Sequence, residues 1–573
     1  MKKGFSGVVL FSVAVLASVA ARAETESPFF QGDTPTRFGP PAELPPRVTS
    51  NTNDQPVIII NTFRYEAFES AEAAGVDMEA LRQRVTAHRD ERNGEYNVAE
   101  LNDLVANLGN FLREQGFILA RVIIPEQRLE NATLTLQLVI GILGDVSPQN
   151  NNLYSDETLN ILFEPLIDAP VQEAVLEQKL LRLSDFPGID LRSSLTAGEQ
   201  PGTTRLQLDV LGEQPFGILA AVDNYGSENT GTYRVTLAGQ ANNLANSADQ
   251  LSAQLRFSLL PNNSISGQTQ YRMPLDMMGL GGPVWLWDNT DASLNLSGSA
   301  FSVGGDLEIL DIEGGTRQFG LRTERYLGRS QIKRSSVYQS LQFKRSNSDL
   351  NDDSLGDDRL TVLSLGGTWQ ASDAWLGGGV SQLDASVNQG VGSFLGSMDG
   401  SGDDDSSRVG SSGDRAGGTF TVWRLSGERT QAVGGQYLSL QSDLQLSSNL
   451  LTSLEQYSFG GSDTVRGYPA GDRSADSAWA LSVEYYGLSA APELTLPVSQ
   501  LKLAAFWDFA MGSLNEALPN EEANPTAMSV GVYTEFRLAR HYQTRLDLAV
   551  PIGAQMPSDG RRVSFGFRIS RTF

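Results

Sequence analysis

From about residue 216 to its end the chain repeats a single pattern, short runs of alternating apolar and polar residues separated by Gly-, Ser-, Asn- and Asp-rich connections. Leu251, Ala253, Leu255, Phe257 and Leu259 alternate with Ser252, Gln254, Arg256 and Ser258. Similar runs fall at 292–301, 360–365, 438–446, 501–509 and 542–550. Side chains of a strand point to opposite faces in turn, so each run has one apolar and one polar face. Most approach the roughly 9–11 residues that a tilted strand needs to cross a hydrocarbon layer. About sixteen such runs fit between 216 and 573, the even number of a closed antiparallel membrane barrel, apolar outside and polar within. No stretch beyond the N-terminus reaches 18 consecutive apolar residues, so no helical span is expected.

The last run places Val563, Phe565, Phe567, Ile569 and Phe573 on one face, with Arg571 as the exception. A terminal aromatic such as Phe573 on an alternating strand resembles the C-terminal signal by which outer-membrane barrels are recognised for insertion. The other end of the chain agrees. Met1-Lys2-Lys3, an apolar run to about Ala20 and Ala21-Arg22-Ala23 read as a signal peptide over 1–23. Its alternative, a membrane anchor, needs a longer apolar run. Removing residues 1–23 takes three basic groups from a formal charge of −25, leaving −28. Such an acidic chain repels nucleic acid. There is no cysteine, so stability in an oxidising compartment comes from packing and hydrogen bonding.

Between the leader and the barrel lie three further segments. Residues 24–55, with Pro40-Pro41 and Pro45-Pro46, read as a linker with room for a short plug helix. In 56–142, Val57–Ile60 reads as a strand. Asn97 with Glu100 forms a capping box before Val98, Leu101, Leu104, Val105, Leu108, Phe111 and Leu112 at helical spacing. Gly116 ends that helix, and strands are expected at 117–124 and 133–140. The pattern recurs in 143–213, with helices near 156–166 and 171–184 and strands near 189–195 and 203–210. Each of these α+β modules is large enough for a modest core; one larger α+β domain is the alternative.

In this order the motifs resemble those of the two-partner secretion transporters (the TpsB class), relatives of the barrel-assembly proteins. Gly116-Phe117, Ala120-Arg121-Val122 and Ile124-Pro125-Glu126-Gln127 resemble the closing half of that family's first POTRA module. The segment 180–188, with Ala197-Gly198 and Pro201-Gly202-Thr203, resembles its second, and Asp223-Asn224-Tyr225-Gly226-Ser227 resembles the turn into its barrel. Val465-Arg466-Gly467-Tyr468, inside the Gly-rich segment 458–475, matches the tip of the family's inward-folded sixth extracellular loop. The resemblance implies that Arg466 meets an acid in the family's Phe-x-Asp-x-Gly pattern. Here that pattern reads Phe506-Trp507-Asp508-Phe509-Ala510, with Ala510 in place of glycine, and Ser474 likewise stands where the family often has glycine. Alternation along 501–509 independently puts Asp508 on the Lys502 side, the expected lumen.

The implied fold is α+β periplasmic POTRA modules followed by an all-β transmembrane barrel of sixteen antiparallel strands in the cell outer membrane. The implied function is export of a large secreted partner, an adhesin or cytolysin, that docks unfolded on the POTRA modules. The module 143–213, next to the barrel in sequence, is the expected main dock. Outer-membrane lipid and the barrel-insertion machinery are further expected partners. A barrel-assembly factor is the alternative function, and a porin would not need 56–213.

No catalytic residue, cofactor or metal site is expected. His88 and His541 are the only histidines and fall in different segments, and no P-loop pattern is present. Asp403-Asp404-Asp405 lacks the twelve-residue Ca²⁺-loop pattern, so the stretch 396–418 reads as a hydrated, disordered loop. Trp285, Trp287, Tyr485 and Tyr486 fit an interfacial girdle or ordinary strand positions equally well.

Overall fold

The computed structural model describes residues 57–200, 202–260, 263–278, 287–351, 353–490, 498–538 and 541–573. The expected signal peptide (1–23), the linker with its possible plug helix (24–55) and Trp285 lie outside the described residues.

The chain forms two compact units that meet in sequence at Gln214–Pro215. In the N-terminal unit the capping box forms as the sequence predicts. The Asn97 side chain accepts from the Glu100 N–H at 2.9 Å, and Glu100 accepts from the Asn97 N–H at 2.8 Å. The helix Val98–Glu114 buries Leu101, Leu104, Leu108, Phe111 and Leu112. That face joins one core with Val122, Leu134, Leu136 and Leu138 of a three-stranded sheet. Each such side chain contributes about 1.5–3 kcal/mol of burial free energy.

The sheet differs from expectation in two ways. Its parallel strand is Thr62–Glu66, paired with Thr133–Val139, whereas only Ile58–Ile59 of the expected 57–60 strand is extended, and it pairs with Glu95–Tyr96. Ile58 and Ile60 look inward, but Ile59 is exposed, so the apolar run is no strand core. The expected strand at 117–124 shrinks to Arg121–Ile123, because Phe117 to Ala120 turn to bury Phe117. A second three-stranded sheet follows. Ile142–Gln149 runs parallel to Thr203–Glu213, which pairs antiparallel with Ile189–Ala197. The helix Glu173–Ser184 buries Leu176, Leu180 and Leu183.

The C-terminal unit is a closed barrel of sixteen strands, every neighbouring pair antiparallel. It opens with Phe216–Asp223 and closes where Ser564–Thr572 pairs back onto that strand. The two-residue connection Gly434-Gly435 lies at the end where the chain enters, the periplasmic end. The two longest connections, 391–419 and 447–476, lie at the other end. Outward aromatics form two girdles. Trp423, Trp479 and Phe565 are exposed toward the outer end, and Trp369, Tyr485, Tyr542 and Phe573 toward the periplasmic end. The exception on the last strand, Arg571, lays its guanidinium over the Phe573 ring at 4.5 Å and the Tyr542 ring at 5.4 Å. Tyr486 departs from the girdle reading and faces the lumen. Trp287 is half-buried.

The acidic segment 403–405 is folded rather than disordered. Asp403 accepts the backbone N–H groups of Asp399 and Asp405 at 2.9 and 3.0 Å, and Asp358 accepts from the Ser407 backbone and hydroxyl. Arg408 reaches Glu521 of the connection 514–525 at 3.3 Å.

Candidate functional site

The connection 447–476 turns back into the barrel because it carries its own small ladder, Tyr457–Phe459 against Arg473–Ala475. Tyr457, Phe459 and Ala475 bury against Ala478, Ala480, Ala510 and Ala527 of the barrel strands. Those four wall positions are all alanine, which leaves room for the ladder. At Gly512 even a methyl would come within 2.4 Å of the Ala475 Cβ.

Beyond the ladder the tip is a tight turn. The Val465 carbonyl accepts from the N–H groups of Gly461 and Tyr468, at 3.2 and 3.4 Å. Gly467 has φ +92°, a left-handed conformation that side chains strain to adopt. A Cβ there would also come within 3.2 Å of Ala549. Val465 is fully buried, and the Tyr468 hydroxyl donates to the Gln555 carbonyl at 2.9 Å.

This turn aims Arg466 at the wall. Its Nε and Nη2 donate to the two oxygens of Asp508 at 2.7 and 2.6 Å, the two-pronged geometry that fixes orientation as well as distance. The Arg466 backbone N–H adds a third bond to the same carboxylate at 3.1 Å. Nη1 donates to Glu484 at 2.6 Å, and the guanidinium lies 3.5 Å from the Phe506 ring. Arg466 is 6 % exposed and Asp508 0 %. Asp508 and Phe506 belong to the strand Val498–Ser513, Glu484 and Ser482 to its neighbour Ser477–Ala490. The register sets Ser482 directly beside Asp508, and its hydroxyl donates to that carboxylate at 2.8 Å. Ala510 is fully buried in the wall, so the methyl in place of glycine is accommodated.

Sequence reasoning places Arg466, Phe506 and Asp508 together but omits the other side of the arginine. Glu484 receives hydroxyls from Tyr486 and Tyr533, each at 2.8 Å, so its second oxygen is also satisfied. The signal was present, since Glu484 is the single acid on the lumenal face of an otherwise small and aromatic strand. A second ionic anchor was also missed. Glu455, 1 % exposed near the root of the inward loop, binds Lys344 at 2.9 Å and Arg424 at 3.0 Å. Those cations come from the strands Lys333–Leu350 and Phe420–Val433. Asp476, at the other root, accepts from the N–H groups of Leu451 and Asn515 at 3.1 and 2.7 Å.

Everything in this arrangement is reversible, consisting of ion pairs, hydrogen bonds and ring contacts. Among the described residues no cluster of three or more histidines and carboxylates is placed to hold a metal ion. His88 stacks on Tyr96 in the N-terminal unit, and His541 is an exposed turn residue of the barrel. The geometry is that of a loop tip held to the inner wall of the barrel by noncovalent contacts. Phe573, the remaining candidate, stands exposed at the end of the barrel seam.

Residues 202–534 match the family model of haemolysin secretion/activation proteins ShlB/FhaC/HecB, and residues 72–141 match that of the ShlB-type POTRA domain. The heme/hemopexin transporter protein HuxB of Haemophilus influenzae (strain 86-028NP) is 22% identical over 480 residues, covering 80% of this chain and 78% of its own. Among solved structures, CdiB from Escherichia coli has a TM-score of 0.72 at 17% identity and 94% coverage of both chains. BamA from Haemophilus ducreyi lacking POTRA domains 1–3 has a TM-score of 0.50 at 12% identity, covering 83% of this chain and 94% of that one.

Proposed function

The chain belongs to the ShlB/FhaC/HecB family of haemolysin secretion/activation proteins, and on that premise we propose that the loop 447–476 is the latch of its export channel. The protein translocates a secreted partner across the outer membrane, with its N-terminal POTRA unit in the periplasm. The observation that carries the latch reading is the Arg466 fork on Asp508, buried between loop and wall. At rest the loop tip occupies the lumen. Passage of a chain requires the fork to open and the tip to leave the wall.

The partner arrives unfolded and docks through an amphipathic segment near its own N-terminus. It adds a strand to a sheet edge or lies in a helix–strand groove, and the module 143–213 is the main dock. Folding of the partner at the cell surface supplies the drive, because ATP is absent beyond the inner membrane. The partner is a large exoprotein of adhesin or cytolysin type. Phe573 addresses the barrel to the insertion machinery, and the apolar belt meets outer-membrane lipid. The chain performs transport and no bond-making chemistry.

The test is secretion by Arg466→Ala and Asp508→Ala variants, with barrel insertion followed separately by heat-modifiable migration. Lost export with normal insertion supports the latch; normal export by both variants refutes it. Deleting 143–213 abolishes partner binding if that module is the dock, and retained binding places the dock elsewhere. The likeness to BamA favours an assembly factor as the second reading. Capture of many barrel proteins, rather than one large exoprotein, would select it.

A further inference from the structure

On the outer surface of the barrel, pairing aligns one residue from each of seven successive strands. Leu237, Leu255, Gly267, Gly298, Arg317, Arg345 and Arg359 lie side by side across the sheet. At its first part the row crosses a groove of about 660 Å³. The groove's floor is Gly239, Ala253 and Gly267, where side chains are missing or small. Its walls are Leu237, Leu255 and Leu296, all exposed on the face turned to the bilayer, and Arg317 stands at its end.

The three arginines sit at a border. On the periplasmic side of the row, the outward residues of the same strands are Phe319 and Leu321, Leu341 and Phe343, and Thr361, Leu363 and Leu365, with the buried Thr361 hydroxyl donating to the Phe394 carbonyl at 3.1 Å. On the outer side the next outward row reads Gly315, Asn347 and Asp357. This is where hydrocarbon gives way to headgroups. Arg345 spends its fork on Asp357 at 2.7 and 2.9 Å. Arg359 meets Asp405 at 3.1 Å and lies 3.8 Å from Asp357. Two carboxylates thus face three guanidiniums. Arg317 is exposed and has no hydrogen-bond or ion-pair partner among the described residues. An unpaired cation on the lipid face is unfavourable unless it reaches an anion in the headgroup layer.

We propose that this groove is a binding site for a phosphorylated acyl lipid of the outer leaflet, one acyl chain lying over Gly239 and Gly267 and the phosphate held by Arg317. Charge and shape agree on this occupant. The groove accepts a chain without side chains in the way, and the excess cation stands where that chain's headgroup begins. Arg345 and Arg359 extend the same cationic edge laterally. A guanidinium suits phosphate because its donors match two oxygens at once.

The test is native mass spectrometry of the full-length protein in detergent, titrated with phosphorylated lipid A and with the same lipid after enzymatic removal of its phosphates. Folding of each variant is checked by heat-modifiable migration. The intact protein binds the phosphorylated lipid at least about tenfold more tightly than the dephosphorylated one, the value of one charge-assisted contact. Arg317→Gln loses that preference. Gly267→Leu fills the floor and weakens both lipids. A Cβ at Gly267 meets nothing closer than 3.6 Å, so the sheet tolerates it. Arg325→Gln, outward at the periplasmic end of the same strand, binds like the parent, and inorganic phosphate does not compete. Equal binding of the two lipids by the intact protein, or unchanged binding by both Arg317→Gln and Gly267→Leu, overturns the proposal.

Discussion

Replacing Asp508 with alanine removes both oxygens that hold the Arg466 fork and the acceptor of the Arg466 backbone N–H. Breaking a buried ion pair by deleting one partner costs about 3–5 kcal/mol, because the remaining charge is left uncompensated. Here Glu484 still contacts Arg466 at 2.6 Å, and Phe506 still covers the guanidinium. The lower end, about 3 kcal/mol, is therefore expected, which shifts the balance between docked and undocked loop by about two orders of magnitude. The chain has no cysteine, so a single thiol can report that balance. Val465→Cys places it at a fully buried position of the tip. In the Asp508→Ala background, modification by a membrane-impermeant maleimide is expected to run about a hundredfold faster than in the parent. In an Arg466→Ala background, adding Asp508→Ala is expected to change the rate little, since the coupled pair is already gone. Equal rates with and without Asp508 would refute the claim that this carboxylate holds the loop.

Three other perturbations probe separate parts of the molecule. Glu455→Gln leaves Lys344 and Arg424 without their shared carboxylate, so the loop root is expected to loosen by about 3 kcal/mol. Its readout is a higher open probability in planar-bilayer recordings, and parental conductance contradicts it. Asn97→Ala removes the capping box and should lower the stability of the N-terminal unit by about 1 kcal/mol in urea unfolding, while Asn97→Ser restores most of it. Burial, aided by the Arg92 guanidinium, pushes the His88 imidazole below its usual 6.5. The unfolded chain therefore takes up a proton at a pH where the folded unit does not. Stability of the unit should fall as pH drops below about 6.5, and His88→Gln should flatten that slope in urea unfolding at pH 7.5 and 5.5.

Elements governed by local rules were legible in the sequence. The capping box at Asn97 is satisfied within four residues, and alternation alone sets Asp508 on the lumenal face of its strand. The sixteen-strand count follows from the same alternation, since every run must present one face to lipid. What stayed hidden depends on register between distant strands. Glu484 meets Arg466 only because Ser482 pairs with Asp508, and Glu455 meets Lys344 and Arg424 across residues more than a hundred positions apart in part. Thr62–Glu66 was passed over because the more apolar run before it gave the stronger signal. In the end Phe63 and Tyr65 alternate inward and Ile59 does not. The order of 403–405 escaped because its Gly/Ser/Asp composition suits disorder. Asp403 instead accepts two backbone N–H groups that a disordered loop would leave to water.

Comparison of the culture medium and the outer membrane of the source bacterium, with and without this chain, tests the central claim most directly. Dedicated export predicts that one large protein vanishes from the medium and accumulates or is degraded in the periplasm, while other outer-membrane barrels keep their levels. Unchanged secreted protein together with a general loss of outer-membrane barrels would contradict it.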